Sequence, residues 1–453
     1  MRNDVPNSWQ ARAEAATFYG FTDLPTLAER GTVVLTHGEG AHVVDTEGRR
    51  YLDANAGLWN MVAGFDHPDL IAAAKAQYDR LPGYHAFFGR MSDATVELSE
   101  RLTALAPFDG GRVFYTNSGS EANDTLVKML WFLSAAEGRP LRRKILTRVN
   151  GYHGVTVAAT SMTGKPYNRV FGLPLPGFLH LTCPHYWREG RAGESEAQFT
   201  ARLAAELEEV IEREGAGSIA AFVAEPVLGA GGVIPPPEGY FQAIQPVLAA
   251  HGIPLVADEV ICGFGRTGAL WGAETYGFTP DAVIASKAMT AGYFPMGAVI
   301  LGPDLAARLT RAAEGIEEFP HGFTASGHPV GSAVALAAID LIVDGGLMAQ
   351  AQALIPRFEA GLAGFADHPN VGEVRGKGLM GALEVVADRE SRAAIPNIGE
   401  RVANAAMDRG LICRPIGPAI VLCPPFILSE GEMDGMFATL RDALDAALGE
   451  AIA

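Results

Sequence analysis

From about residue 70 the chain alternates two textures. Stretches such as PDLIAAAKAQYDRL (68–81) and DATVELSERLTALA (93–106) space their apolar residues at helical intervals and predict amphipathic helices. Between such stretches lie short, nearly continuous apolar runs. They are RVFYTN (112–117), KILTRV (144–149), IAAFVAEPV (219–227), IPLVADEVI (253–261), DAVIAS (281–286) and GAVILG (297–302). Short β-rich runs separated by helices predict an α/β domain with a mostly parallel sheet.

The flanks read differently. GAHVVDTEGRRYLDANAG (40–57) predicts a hairpin with its turn at Glu47-Gly48. A long Ala/Leu-rich helix is expected from SAVALAAIDLIVD (332–344), followed by the runs VGEVRGKGLMGALEVV (371–386) and AIVLCPPF (419–426) and a final helix, EMDGMFATLRDALDAAL (432–448). This α+β pattern predicts a smaller domain built from both ends of the chain. The expected division is 1–70 (joining the small domain), 71–330 (large α/β domain) and 331–453 (the rest of the small domain).

Three of the apolar runs end in ionisable residues. IAAFVAEPV is apolar up to Glu225, IPLVADEVI up to Asp258 and Glu259, and DAVIASKA up to Lys287. Lysine is rarely buried without a partner. Open α/β sheets bind ligands outside the carboxyl ends of their strands, so these side chains are expected on one rim. The run RVFYTN leads into Ser118-Gly119-Ser120-Glu121 and then a helical stretch. That arrangement is an ordinary capped helix start, or an anion cup in which Gly119 allows close backbone approach.

Composition narrows the class. Thirty-five basic against 52 acidic residues give a net charge of −17, which argues against nucleic acid and anionic membrane as partners. No stretch approaches the ~20 apolar residues of a membrane span, and the start, MRNDVPNSWQARAEA, lacks the apolar core of a signal peptide. Cys183, Cys262, Cys413 and Cys423 have no CxxC spacing, so free buried thiols are expected. The expected setting is the cytoplasm. His153, His321 and His328 are not spaced as a metal site, and no metal is expected. A phosphate loop and a strand–GxGxxG–helix unit are both missing from the sequence, which weakens nucleotide-dependent readings.

A lysine, a carboxylate and a phosphate cup on one rim fit pyridoxal 5′-phosphate. Its aldehyde takes a lysine amine, its ring nitrogen a carboxylate, and its phosphate the helix amides. Tyr152 in NGYHG (150–154), just after KILTRV, is placed to stack on the ring.

With these residues in view, the chain resembles the class III aminotransferases of the pyridoxal-phosphate fold type I group, in particular their ω-transaminase branch. The resemblance runs through LDANAGLWN (52–60), FYTNSGSEAND (114–124), NGYHG, AEPVLGAGG (224–232), ADEVICGFGRTG (257–268), SK (286–287), HGFTASGHP (321–329) and VRGKGLMG (374–381). It implies that Lys287 forms the Schiff base and moves the proton. Asp258 would pair with the ring nitrogen, and Val260 would pack on the ring face opposite Tyr152. Gly119 and Ser120 would bind the phosphate, with Thr324 of a second subunit. Glu225 would stand near the cofactor's hydroxyl. Arg414 is implied as a mobile arginine for carboxylates. Trp59, Phe87 and Phe88 are implied as aromatic walls, the phenylalanines from this or the partner subunit, with Phe21 and Ala230 narrowing the pocket. Amine and keto acid substrates and at least a homodimer with shared sites follow from the resemblance. Ala288-Met289 after the lysine and Ala325 depart from the common family pattern. The alternatives are an aminomutase or decarboxylase of the same fold, a non-catalytic α/β binding protein, and a nicotinamide oxidoreductase.

Overall fold

The computed structural model describes residues 7–316 and 318–452; the first six residues of the expected N-terminal segment lie outside that range. At its centre is a seven-stranded sheet. Its spatial order is Arg112–Thr116, Gly297–Leu301, Ala282–Ala285, Leu255–Asp258, Ile219–Ala224, Lys144–Arg148 and Phe178–Leu181. Gly297–Leu301 runs antiparallel to both neighbours, and every other adjacent pair is parallel. Six strands fall on the six apolar runs. The seventh, Phe178–Leu181, was not anticipated: four residues containing His180 carry too little pattern to distinguish them from a loop.

The apolar runs overshoot the strands at one end or both. Ile219–Ala224 stops before Pro226, and Leu255–Asp258 begins after Pro254, because proline cannot donate to a strand ladder. All residues of Ile219–Ala224, Leu255–Asp258 and Ala282–Ala285 are buried, as expected for strands covered on both faces. One covering helix, Gly119–Ala136, buries Ala122, Leu126, Val127, Met129, Leu130 and Leu133 against the sheet.

The expected hairpin forms from His42–Asp45 and Arg50–Asp53. It joins a four-stranded sheet with Leu35–Glu39 and with Leu411–Ile412, so both ends of the chain meet there. A second four-stranded sheet has the order Val371–Lys377, Met380–Val385, Ala419–Leu422, Arg414–Ile416. The helix Pro329–Val343, at the expected boundary, packs against Pro68–Arg80, Asp93–Leu105 and the turn Lys287–Thr290, and touches Leu347–Ala363. All four cysteines are free and buried. Among the described residues no single helix is long and apolar enough to cross a membrane.

The antiparallel strand constrains its neighbour closely. A Cβ at Gly297 would stand 2.5 Å from the Ser118 carbonyl oxygen and 2.6 Å from Thr116 Oγ1. Gly297→Ala is therefore expected to destabilise the protein by about 1–3 kcal/mol, as overpacking does, and to displace the turn at Ser118. A melting temperature equal to that of the wild type would contradict this packing.

Candidate active site

The three central strands are parallel neighbours, with Ala224 opposite Ala257 and Asp258 opposite Ile284. Glu225, Asp258 and Lys287 therefore leave the sheet at the same rim. Glu259 does not join them. Adjacent residues on extended chain point to opposite faces, and Glu259 accepts hydrogen bonds from Gly272 N (2.9 Å) and Ala273 N (2.7 Å). Burial pushes its carboxyl up to about 8, and it serves as an internal anchor of that loop.

Lys287 begins a one-turn 3₁₀ helix, Lys287–Thr290, with φ +44°, the left-handed region that a side chain with a Cβ rarely adopts. Such strain persists only where the surroundings enforce it. Here Ser286 Oγ donates to Met296 O (2.7 Å), and Met289 N returns to Ser286 O (2.9 Å). Lys287 Nζ has no hydrogen bond or ion pair among the described residues and sits 5.3 Å from the Trp59 ring centroid. Burial lowers its ammonium from the ordinary 10.5 to about 8, with Asp258 opposing that shift and Arg414 adding to it.

Asp258 is 2 % exposed and held from behind. Its Oδ2 accepts from His153 Nδ1 (2.7 Å) and Asn123 Nδ2 (2.9 Å), while Oδ1 has only the long contact from Val260 N (3.2 Å). Oδ1 is thus the atom left for a ligand. His153 and Asn123 were not singled out for this role. They lie 105 and 135 residues away in sequence, and only the NGYHG and SEAND motifs that contain them hinted at it.

The helix Gly119–Ala136 points its N-terminus at the rim. Ser118 is the cap: its Oγ accepts from Glu121 N (3.2 Å), while Glu121 Oε2 accepts from Asn117 N (2.7 Å). The amides of Gly119 and Ser120 remain open for an anion. A Cβ on Gly119 would stand 2.9 Å from Val260 Cγ2, so only glycine lets Val260 lie beside this cup. Ser120 Oγ accepts from Val155 N (3.1 Å), which leaves its own proton to donate. Gly154, at φ +129°, passes so near that a Cβ would meet Ser120 Oγ.

Tyr152 and Glu225 are coupled through the backbone. Glu225 Oε1 accepts from Tyr152 N and Oε2 from Gly229 N, both at 2.9 Å. Glu225 thus fixes two loops at the rim; burial raises its carboxyl. Trp59 (2 % exposed), Ala230, Val233, Ile261, Cys262 and Val421 form one apolar cluster, with Tyr152 against it. Trp59 itself lies in a left-handed conformation, φ +65°. Its loop is strung on Asp53, which accepts from Asn55 N (2.9 Å) and Gly57 N (2.7 Å), and Trp59 Nε1 donates to Asn55 Oδ1 (2.5 Å). Arg414 leaves the strand Arg414–Ile416 and lays its guanidinium 4.8 Å from the Trp59 ring centroid, with no carboxylate partner among the described residues. Lys165 was missed by sequence reasoning. Its ammonium is lowered by burial and feels Glu225 and Arg414, but no motif marks it.

Other expected residues stand apart. Phe87 packs on Gly322, and Phe88 is 77 % exposed. Phe88 and Thr324 make no hydrogen bond or ring contact with Lys287, Asp258 or Trp59 within the chain. Phe21 is exposed and touches Tyr167 edge-on at 6.0 Å.

An unpaired amine, an open carboxylate oxygen and a helix N-terminus with free first-turn amides, all on one sheet rim, define a pyridoxal-phosphate enzyme of fold type I. The donor set fits that cofactor: amine for aldehyde, carboxylate for ring nitrogen, amides for phosphate. The class-III aminotransferase family profile matches residues 26–444, and the chain belongs to that family. It is 41 % identical over 417 residues to gamma aminobutyrate transaminase 1 of Solanum lycopersicum, covering 91 % of this chain and 81 % of the relative. Among solved structures, the PMP-bound aminotransferase from Vibrio fluvialis is 67 % identical with a TM-score of 0.97, covering 99 % of this chain and all of that one. An omega-aminotransferase from Paracoccus denitrificans is 68 % identical, with a TM-score of 0.97 and 98 % and 99 % coverage. The protein is an aminotransferase that uses pyridoxal 5′-phosphate.

The Lys287 shift makes a pH prediction for the cofactor-free protein. Between pH 8 and 10.5 the unfolded chain keeps the lysine proton that the folded chain has lost, so stability rises with pH across that window. Thermal melts of wild type and Lys287→Met should diverge there, the wild type gaining with pH relative to the variant. Parallel curves would contradict a desolvated amine.

Proposed function

We propose that this aminotransferase moves an amino group from an amine or ω-amino acid donor to a keto acid such as pyruvate, in two half-reactions through one pocket. The observation that carries the reading is the pairing of two cations on Trp59. Lys287 and Arg414 both stand against its ring, and neither has an anionic partner. A guanidinium held by stacking alone can withdraw for an uncharged donor and return to grip a carboxylate in bidentate fashion. The gamma aminobutyrate transaminase relatives support an ω-amino acid donor, and the omega-aminotransferase structures support the wider amine class.

Pyridoxal 5′-phosphate, when bound, supplies an aldehyde that takes up the amino group and a ring that accepts the electron pair of the donor's breaking C–H bond. The chain's own residues do the rest. Gly119 and Ser120 amides and Ser120 Oγ would hold the phosphate, and Asp258, through Oδ1, would take the ring nitrogen. Tyr152 and Val260 would hold the ring from its two faces, with Glu225 toward its hydroxyl. Lys287 Nζ, with its affinity for protons lowered toward neutrality, removes a proton from the donor carbon and later returns one. Trp59 and Ala230 wall the donor side, with Phe21 at its outer edge against Tyr167, and burial of the Trp59 cluster keeps water out.

The same reading includes a homodimer. Phe87 packs on Phe88 and on Gly322, two residues from Thr324, and the 77 % exposure of Phe88 supports a partner surface there. Thr324 would then reach the partner's phosphate. The division at 70 and 330 stands within this proposal, with the helix Pro329–Val343 linking the two parts. Four free buried thiols support a cytoplasmic setting.

Arg414→Ala separates the two halves. It should cut kcat/KM for pyruvate by about 10–100-fold, the worth of a charge-assisted hydrogen bond, and change that for an uncharged aldehyde acceptor far less. Equal losses with both acceptors would contradict the role of Arg414.

A further inference from the structure

The loop that carries Ala230 is held from two sides. On the inner side, Glu225 Oε2 takes Gly229 N at 2.9 Å. On the outer side stands Arg375, 9 % exposed, on the strand Val371–Lys377 of the second four-stranded sheet. Its Nε donates to both Gly232 O and Val233 O at 3.0 Å, and its Nη2 donates to Gly232 O at 2.8 Å. Its Nη1 is held between two carboxylates, Glu373 Oε2 at 2.6 Å and Glu384 Oε2 at 2.7 Å. Those carboxylates are fixed in turn by His185 Nε2 (2.7 Å to Glu373) and Arg188 Nη2 (2.7 Å to Glu384).

The loop needs such a restraint. Val233 has φ +51°, costly for a β-branched residue, and Gly232 has φ +117°. Val233 and Ala230 belong to the apolar cluster of Trp59, and a Cβ on Gly229 would lie 3.2 Å from the Trp59 ring. Any outward movement of residues 229–233 would enlarge the space beside Trp59. The guanidinium is suited to the task because its fork spans two carbonyls and two carboxylates at once, which an ammonium cannot do.

We propose that Arg375 is a positioning residue for donor specificity: it clamps the strained Gly232–Val233 turn and so sets the width of the amine pocket at Ala230. This rests on reading Trp59 and Ala230 as walls of that pocket. Arg375 touches neither substrate nor cofactor, so its effect falls on the fit of bulky donors and not on the proton transfer itself.

The test compares Arg375→Lys with wild type by amide hydrogen exchange over residues 228–234 and by steady-state kinetics with 1-phenylethylamine and isopropylamine. Exchange in that segment should quicken by about fivefold or more, while exchange in Leu255–Asp258 stays unchanged. KM for 1-phenylethylamine should change by about fivefold or more with kcat within about twofold, and KM for isopropylamine should stay within about twofold. Unchanged exchange with unchanged kinetics would overturn the proposal. So would equal losses with both donors accompanied by faster exchange throughout, which would make Arg375 a general structural residue. Should Arg375→Lys fail to fold, Glu373→Gln, which leaves Glu384 on Nη1, should give the same pattern at smaller amplitude, and wild-type values there would overturn the proposal. Exchange needs no turnover, so a wild type inactive with both amines would refute the amine reading while the clamp is still judged by exchange alone.

Discussion

The structure depends on holding one lysine amine largely desolvated without giving it a salt bridge. A buried ammonium with a hydrogen-bonded carboxylate would be stable and inert; a desolvated amine without such a partner is costly and reactive. Lys287 is in the second state, lowered to about 8, its backbone strained at φ +44° and its Nζ near Trp59 instead of an acid. Asp258 is near enough to act on it electrostatically, yet its Oδ2 is already taken by His153 and Asn123. The fold creates this situation by ending three adjacent, fully buried parallel strands at one rim.

Rigidity around that amine comes from groups that point inward from every side. Glu225 ties the Tyr152 loop to the Gly229 loop, Asp53 strings the Trp59 loop, and Arg375 clamps the far end of the Gly229 loop. Each is a buried charged group satisfied largely by backbone amides or carbonyls, which orients loops more firmly than side-chain pairs that can rotate. The cations Lys287 and Arg414 are the exceptions, resting on an aromatic face with their donors uncommitted. The proposed binding and chemistry rest on these two, while the surrounding charges tie the loops in place.

The rim was legible because an apolar run that stops at a charged residue marks the end of a buried strand, and three runs did so. The direction of each side chain was not. Asp258 and Glu259 are adjacent and chemically alike, and only the pleat decides that one meets His153 and Asn123 and the other the Gly272 and Ala273 amides. His153 was read as a failed metal ligand because its contact with Asp258 spans 105 residues and leaves no local pattern. Lys165 lies in a loop with no periodicity, so its place near Glu225 arises from tertiary packing alone. The strand Phe178–Leu181 is too short to show a period of two.

The most direct test of the account is to load the protein with pyridoxal 5′-phosphate, reduce it with borohydride, and map the labelled peptide by mass spectrometry. Two lysines near the site have amines lowered by burial, Lys287 and Lys165, so the question has a real alternative. The account predicts a single label on the peptide containing Lys287. A label on the peptide containing Lys165, or none, would contradict it.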